Sequence, residues 1–169
     1  LDKLPAGGPA TGAGWGAFDA QERLSQWAKA NQVGAKLLAK SPPAQPYYLQ
    51  LLHARMAENF SRLGQRVNAA ESFRKALAVA NTPPRPDLQM RLIEELVQTN
   101  PKVPEFEPTV NDYVAKFPAR PDRFAALVRL AGVAANNKDA ARAEQILAGV
   151  LPFDARSHSA ASAYVGLFG

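Results

Sequence analysis

The chain has 169 residues, and with 47% of them hydrophobic it is long enough to bury the core of one domain of ordinary size. It contains no cysteine, which excludes disulfides and thiolate metal sites and leaves stability to packing alone. Twenty basic against fifteen acidic residues give a net charge of +5, but Arg55, Arg62, Arg66, Arg74 and Lys75 are interleaved with Glu58 and Glu71, so the charge reads as a mixed, solvated helix surface and nucleic acid is a disfavoured partner.

Residues 1–18, LDKLPAGGPATGAGWGAF, are rich in Pro, Gly and Ala and read as a flexible linker, with a helical domain over 19–169. A chain opening on Leu1 with such a segment reads as a piece of a longer or processed protein. Asp19 with Glu22 three residues on is an N-cap pattern, and Leu24, Trp27, Leu37 and Leu38 then predict a helix, or a pair broken near Gly34. Pro42, Pro43 and Pro46 end that segment and start the next, because proline suits a first turn but not a helix interior.

Leu49, Leu52, Met56, Phe60 and Leu63 recur at intervals of three and four, a single apolar stripe on a helix that Gly64 ends. Asn68, with Glu71, is placed to cap the following helix, whose expected core face is Ala69, Phe73, Ala76, Leu77 and Ala80. A third pair reads as Asp87 to Thr99 and Glu105 to Phe117, divided by Pro101, Pro104 and Pro108. A fourth starts after Asp122, turns at NNKD, and resumes with Ala143, Ile146, Leu147 and Val150. The tail from Pro152 reads as a short last helix covering the end of the stack. No segment alternates with period two, so no sheet is expected, and no apolar run nears the roughly 18 residues of a membrane span.

Alanine on a core face points to close approach of helix axes, with a phenylalanine one turn later filling the space beside the contact. Small and large residues of this kind occur at His53-x2-Met56-Ala57-x2-Phe60, then Ala69-x3-Phe73, Ala76 and Pro83. They occur again at Leu127-x2-Leu130-Ala131-x2-Ala134 with Ala143-x3-Leu147, and more weakly at Ile93-x2-Leu96-Val97-x2-Asn100 with Thr109-x3-Tyr113. In this pattern the chain resembles the tetratricopeptide repeat family, over roughly residues 45–155. The copies are offset by 40 and then 34 residues, the excess being assigned to the proline-rich turn around 101–108. His53 in place of the expected tryptophan, and polar Asn100 and Thr109, depart from the pattern.

The resemblance implies an all-α, right-handed α-solenoid of three to four antiparallel helical hairpins, a noncatalytic scaffold that receives a peptide or protein in a concave groove lined by the first helix of each hairpin. By that register Leu51, Arg55, Glu58 and Ser61, then Arg91 and Glu95, then Arg129, would face the groove. Arg55 and Arg129 share one register position and suit capture of a ligand carboxylate. Leu51, Ala54 and Glu58 stand where the chaperone-tail clamp of some family members would lie, which rejects that ligand. The alternatives are an accessory domain of a secretion or assembly machine or of an enzyme whose chemistry lies upstream, and a basic nucleic-acid-binding array. Self-association through a terminal helix is a second mode, and the composition leans to a bacterial cell envelope.

Chemistry within the segment is not expected, and neither a cofactor nor a metal is called for. His53 and His158, the two histidines, lack ligand spacing, and His53 reads as a packed, hydrogen-bonded core residue. Adjacent Glu94 and Glu95 point about 100° apart on a helix and read as surface charges. No nucleophile elbow or phosphate loop is present, and the N-terminal glycines neither follow a strand nor open a parallel-sheet unit.

Overall fold

The computed structural model describes residues 9–39, 45–100 and 104–148; the tail helix expected beyond Pro152 lies outside them. Among the described residues there are eight α-helices and no strand, as the periodicity requires. They are α1 (Pro9–Arg23), α2 (Trp27–Leu38), α3 (Pro46–Arg62), α4 (Arg66–Leu77), α5 (Pro86–Thr99), α6 (Phe106–Lys116), α7 (Arg123–Asn136) and α8 (Ala140–Ala148). The chain divides into two compact units between Pro84 and Arg85, one holding α1 to α4 and the other α5 to α8, and in each unit every helix packs against the next.

In the first unit, α1 begins at Pro9, inside the segment expected to be linker, and Asp19 lies within it rather than capping it. Three glycines give this stretch poor helix propensity, but Trp15 and Phe18 are buried in one cluster with Ala30, Leu52 and Met56. Burial of two aromatic rings outweighs a propensity cost of about 1 kcal/mol per glycine. The break falls at Leu24–Gln26, not at Gly34, which lies inside α2. Gly34 is small because space demands it: a Cβ there would stand 2.7 Å from Met56 Sδ and 3.0 Å from Phe18 Cε2. Among the described helices the contact between α3 and α4 is the most extensive. Ala57 on α3 and Ala69 and Ala76 on α4 have no exposed surface, so the alanines do sit where the axes come together.

Three connections share one geometry. In α1–α2, α3–α4 and α7–α8 a three-residue turn has its middle residue left-handed, at Ser25 (φ 55°), Gly64 (φ 72°) and Lys138 (φ 65°). The backbone N–H groups of Ser25, Gly64 and Lys138 donate to Glu22, Ser61 and Ala135, and those of Gln26, Gln65 and Asp139 to Gln21, Phe60 and Ala134. These are Schellman turns, which satisfy the orphan carbonyls of the first helix while reversing the chain. None of the expected caps Asp19, Asn68 and Asp122 makes a capping bond. Asn68 lies inside α4, where it donates to the Gln65 side chain at 3.2 Å, and Asp122 precedes α7 but accepts the Tyr113 hydroxyl and Arg120 instead. Asp139, which was not among them, caps α8 by accepting the Arg142 N–H at 3.0 Å.

In the second unit the burial pattern corrects the repeat spacing. Leu88, Met90, Leu92, Ile93 and Glu95 are buried 36 residues after Leu52, Ala54, Met56, Ala57 and Asn59, and Phe106, Val110 and Tyr113 are buried 37 residues after Ala69, Phe73 and Ala76. Ala126, Leu130, Ala131, Ala143 and Leu147 keep the full offset of 74 from Leu52, Met56, Ala57, Ala69 and Phe73. The intervals are therefore nearly even rather than 40 and 34. At the middle hairpin Ile93 and Phe106 replace alanines, and α5 and α6 touch over much less of their length, joined by a longer connection through 100–105. Larger side chains at the crossing keep the two helices from approaching as closely.

Two glycines test this packing in opposite directions. Gly34→Ala is expected to lower stability by about 1–2 kcal/mol through overpacking against Met56 and Phe18. Gly132→Ala on α7, where a Cβ would meet nothing within 4 Å, is expected to raise it by about 0.5–1 kcal/mol. Urea denaturation followed by circular dichroism checks both, and equal effects would contradict the close approach at Gly34.

Candidate functional site

The residues expected to face a partner fall on α3 (Leu51, Arg55, Glu58), α5 (Arg91) and α7 (Arg129), and all five are partly exposed. On the corrected register Arg91 joins Arg55 and Arg129: the three lie at one position, 36 and 38 residues apart. Ser61 is also partly exposed, but Glu95, expected beside Arg91, is buried at 1% exposure and is neither a groove residue nor a surface charge.

The arginines are engaged within the fold. Arg55 lies between two carboxylates of α1: it donates from Nη2 to Asp19 at 2.5 Å, from Nε to Glu22 Oε2 at 3.1 Å, and again from Nη2 to Glu22. Its guanidinium also lies over the Phe18 ring, 4.9 Å from the centroid. Burial disfavours the charge, but hydrogen bonds and attraction from Glu22 and Asp19 outweigh it and hold the guanidinium charged. The polar chain continues inward, because buried Asn59 donates to Glu22 Oε1 at 2.8 Å and to Asn31 Oδ1 at 3.1 Å, and Asn31 donates to the Met56 carbonyl at 3.4 Å. This network bonds α1, α2 and α3 to one another.

In the second unit Arg129 reaches from α7 to Glu94 on α5 at 3.1 Å, and Glu94 also accepts Arg91 at 2.8 Å. Arg142 reaches from α8 to Glu107 on α6 at 2.7 Å. Arg55–Asp19, Arg129–Glu94 and Arg142–Glu107 span 36, 35 and 35 residues, one hairpin in each case. Each arginine ties a helix to its counterpart one hairpin back. Opposite charges about 35 residues apart are the sequence signal of these pairs; the shared register position of Arg55 and Arg129 marks two of the three arginines, omits Arg142, and marks none of the acceptors.

A half-open hollow of about 340 Å³ lies in the second unit between α6, α7 and α8. Phe106, Leu130, Val133 and Ile146 line it, with the Glu107–Arg142 ion pair on its edge. Its volume is at the lower end of the range for ligand sites, about 300–1,000 Å³, and its lining suits an apolar side chain. Beside it in sequence, Tyr113 donates its hydroxyl to Asp122 at 2.5 Å, and Asp122 pairs with Arg120 at 2.6 Å. Burial, and then the bond to ionised Asp122, push the Tyr113 hydroxyl up to about 12, while the hydrogen bond from Arg120 holds Asp122 below its ordinary value.

His53 is half-buried on α3, and burial, followed by the charge of Lys75, lowers its pKa and favours the neutral form. Among the described residues there is no cluster of His, Cys, Asp or Glu that could hold a metal ion, and no helix long and apolar enough to cross a membrane. In comparisons with known proteins the chain matches no family model and no curated sequence.

Two outcomes follow from these bonds. Arg55→Ala, which strands two partly buried carboxylates, is expected to cost about 2–3 kcal/mol, whereas Arg129→Ala, which frees a more exposed pair, is expected to cost no more than about 1 kcal/mol. Denaturant midpoints of the two variants check that order. The Tyr113 contribution is full below pH 10, where folded and unfolded chains both keep the proton. Between pH 10 and about 12 the unfolded chain ionises first, so stability falls as pH rises. Tyr113→Phe should lose that alkaline slope at a cost of about 1–2 kcal/mol near neutrality, measured by denaturation across the pH series.

Proposed function

We propose that this chain is a noncatalytic, tetratricopeptide-like scaffold that binds a peptide or protein segment. The observation that carries the reading is the recurrence of one hairpin design: the same Schellman turn at α1–α2, α3–α4 and α7–α8, and an arginine at one register position on α3, α5 and α7. Stacked helical hairpins bury one face of each helix against its neighbours and leave the first helix of each pair as a wall for a partner. In this reading the hairpins of each unit stack in the right-handed sense that the resemblance implies.

The wall on α3 offers Leu51 and Glu58 as its partner-facing side chains, both partly exposed. Arg55 and Arg129 hold carboxylates of their own chain, so an acidic partner competes for them with Asp19, Glu22 and Glu94. Their first role here is to set the spacing between helices, and their second is to share charge with a ligand. The hollow bounded by Phe106, Leu130 and Ile146 suits an apolar anchor of the same kind of ligand.

The test separates binding from folding. The chain and a Leu51→Asp/Glu58→Arg double variant, immobilised in equal amounts and shown to melt alike, are offered a random peptide library. Peptides enriched on the parent should bind the variant at least about tenfold more weakly. Equal enrichment on both, or none on the parent, would overturn the reading.

A further inference from the structure

Among the described residues, three of the four large exposed hydrophobic side chains of the first unit stand at one end; the fourth, Tyr47, is 46% exposed in the first turn of α3, where its ring packs on Tyr48. Leu24 and Val67 are each 64% exposed and Leu63 is 37% exposed. Leu24 stands in the α1–α2 turn, Leu63 in the α3–α4 turn, and Val67 in the first turn of α4. The two turns are brought side by side because α2 and α3 pack together, with the Arg62 guanidinium at the end of α3 lying 4.5 Å from the ring centroid of Trp27 at the start of α2.

The turn geometry does not call for these aliphatics. The α7–α8 turn has the same hydrogen bonds and the same left-handed middle residue, yet carries Asn137 where the other two carry Leu24 and Leu63. Where α4 has Val67 as its second residue, α2 and α8 have Ala28 and Ala141. The same backbone with polar or small residues at these places shows that Leu24, Leu63 and Val67 are additions to the turn, not requirements of it.

The charge nearest them is mainly positive, with Glu71, one helical turn on from Val67, paired with Lys75. Neither Arg23–Lys29 nor Ser61–Ala70 contains a carboxylate, while together they hold Arg23, Lys29, Arg62 and Arg66. The nearest acid in sequence, Glu22, is paired with Arg55, and Glu58 stands one helical turn back from Arg62.

We propose that this end of the first unit docks onto an anionic lipid surface, with Leu24, Leu63 and Val67 entering the boundary between headgroups and acyl chains and the arginines meeting lipid phosphates. A bilayer fits this patch better than a protein does. The aliphatics stand out from helix ends with most of the Leu24 and Val67 surface in water, and a deformable medium receives such side chains without a matching pocket. Guanidinium groups bind phosphate oxygens in a bidentate manner and add attraction that depends on the charge of the surface. The three aliphatics are distinct from the groove residues Leu51 and Glu58, and the proposal does not rest on peptide binding.

Co-sedimentation of the whole chain with vesicles tests it, using phosphatidylcholine alone and phosphatidylcholine with phosphatidylglycerol. Binding is expected to be at least about tenfold stronger on the anionic vesicles and to weaken with salt. Leu24→Ser/Val67→Ser should reduce it by about tenfold or more, and Arg23→Gln/Arg62→Gln by about twenty-five-fold, from about fivefold for each cation. Because the chain has no cysteine, a polarity-sensitive dye can be placed at Val67→Cys or at Asn137→Cys alone. Only the first should shift its emission to the blue on anionic vesicles. Equal binding to both vesicle types, parent-like binding by both double variants, or equal dye shifts would overturn the proposal. Self-association, or capture of an acidic protein, that the Leu24→Ser/Val67→Ser variant abolishes would also overturn it if no vesicle binding is seen.

Discussion

The structure depends on how closely neighbouring helices can approach, and that distance is set by a few small side chains. Ala57, Ala69 and Ala76 have no exposed surface in the α3–α4 hairpin, and Ala131 and Ala143 take the places of Ala57 and Ala69 in α7–α8. Close axes are what allow a three-residue Schellman turn to join the two helices, because a short turn cannot span a wide crossing. Where Ile93 and Phe106 occupy the corresponding positions, the helices approach less closely and the connection is longer. One variable, the size of the side chain at the crossing, accounts for both turn length and extent of contact.

Apolar burial brings the helices together but specifies their lateral register only loosely, since a stripe of Leu, Ala and Met can slide by a turn. The ion pairs that reach back one hairpin fix it. Arg55 is held by two carboxylates on α1 and continued by Asn59 and Asn31 into the core, so a slip of one turn would leave buried polar groups without partners. Arg129–Glu94 does the same between α5 and α7 at a more exposed site, where the energetic return is smaller. These pairs explain why charged residues stand on faces that a pure packing pattern would leave apolar.

Much of the helical organisation was legible in the sequence because it depends on local rules. The span expected for α5 was Asp87 to Thr99 and the observed helix is Pro86–Thr99; that expected for α6, Glu105 to Phe117, contains Phe106–Lys116. Proline at the start of α3 and α5, Gly64 in the turn, and alanine at Ala69 and Ala76 all follow from backbone conformation and side-chain volume, which one residue carries by itself. The arginine position shared by Arg55 and Arg129 was legible for the same reason, as a periodicity.

The sequence by itself determined helix identity, most helix limits and the small-residue contacts, because those reflect interactions within about four residues or the volume of a single side chain. Only the tertiary structure decided that Gly12, Gly14 and Gly16 lie in a helix, since α1 is held by Trp15 and Phe18 in a cluster with Leu52 and Met56, more than thirty residues away. It also decided that Gly34 is a packing contact and no break, that Asp122 serves Tyr113 instead of capping α7, and that Glu95 is buried while Glu94 binds two arginines. Each of these turns on a partner distant in the chain, and propensity and periodicity carry no information about which distant group a side chain will meet.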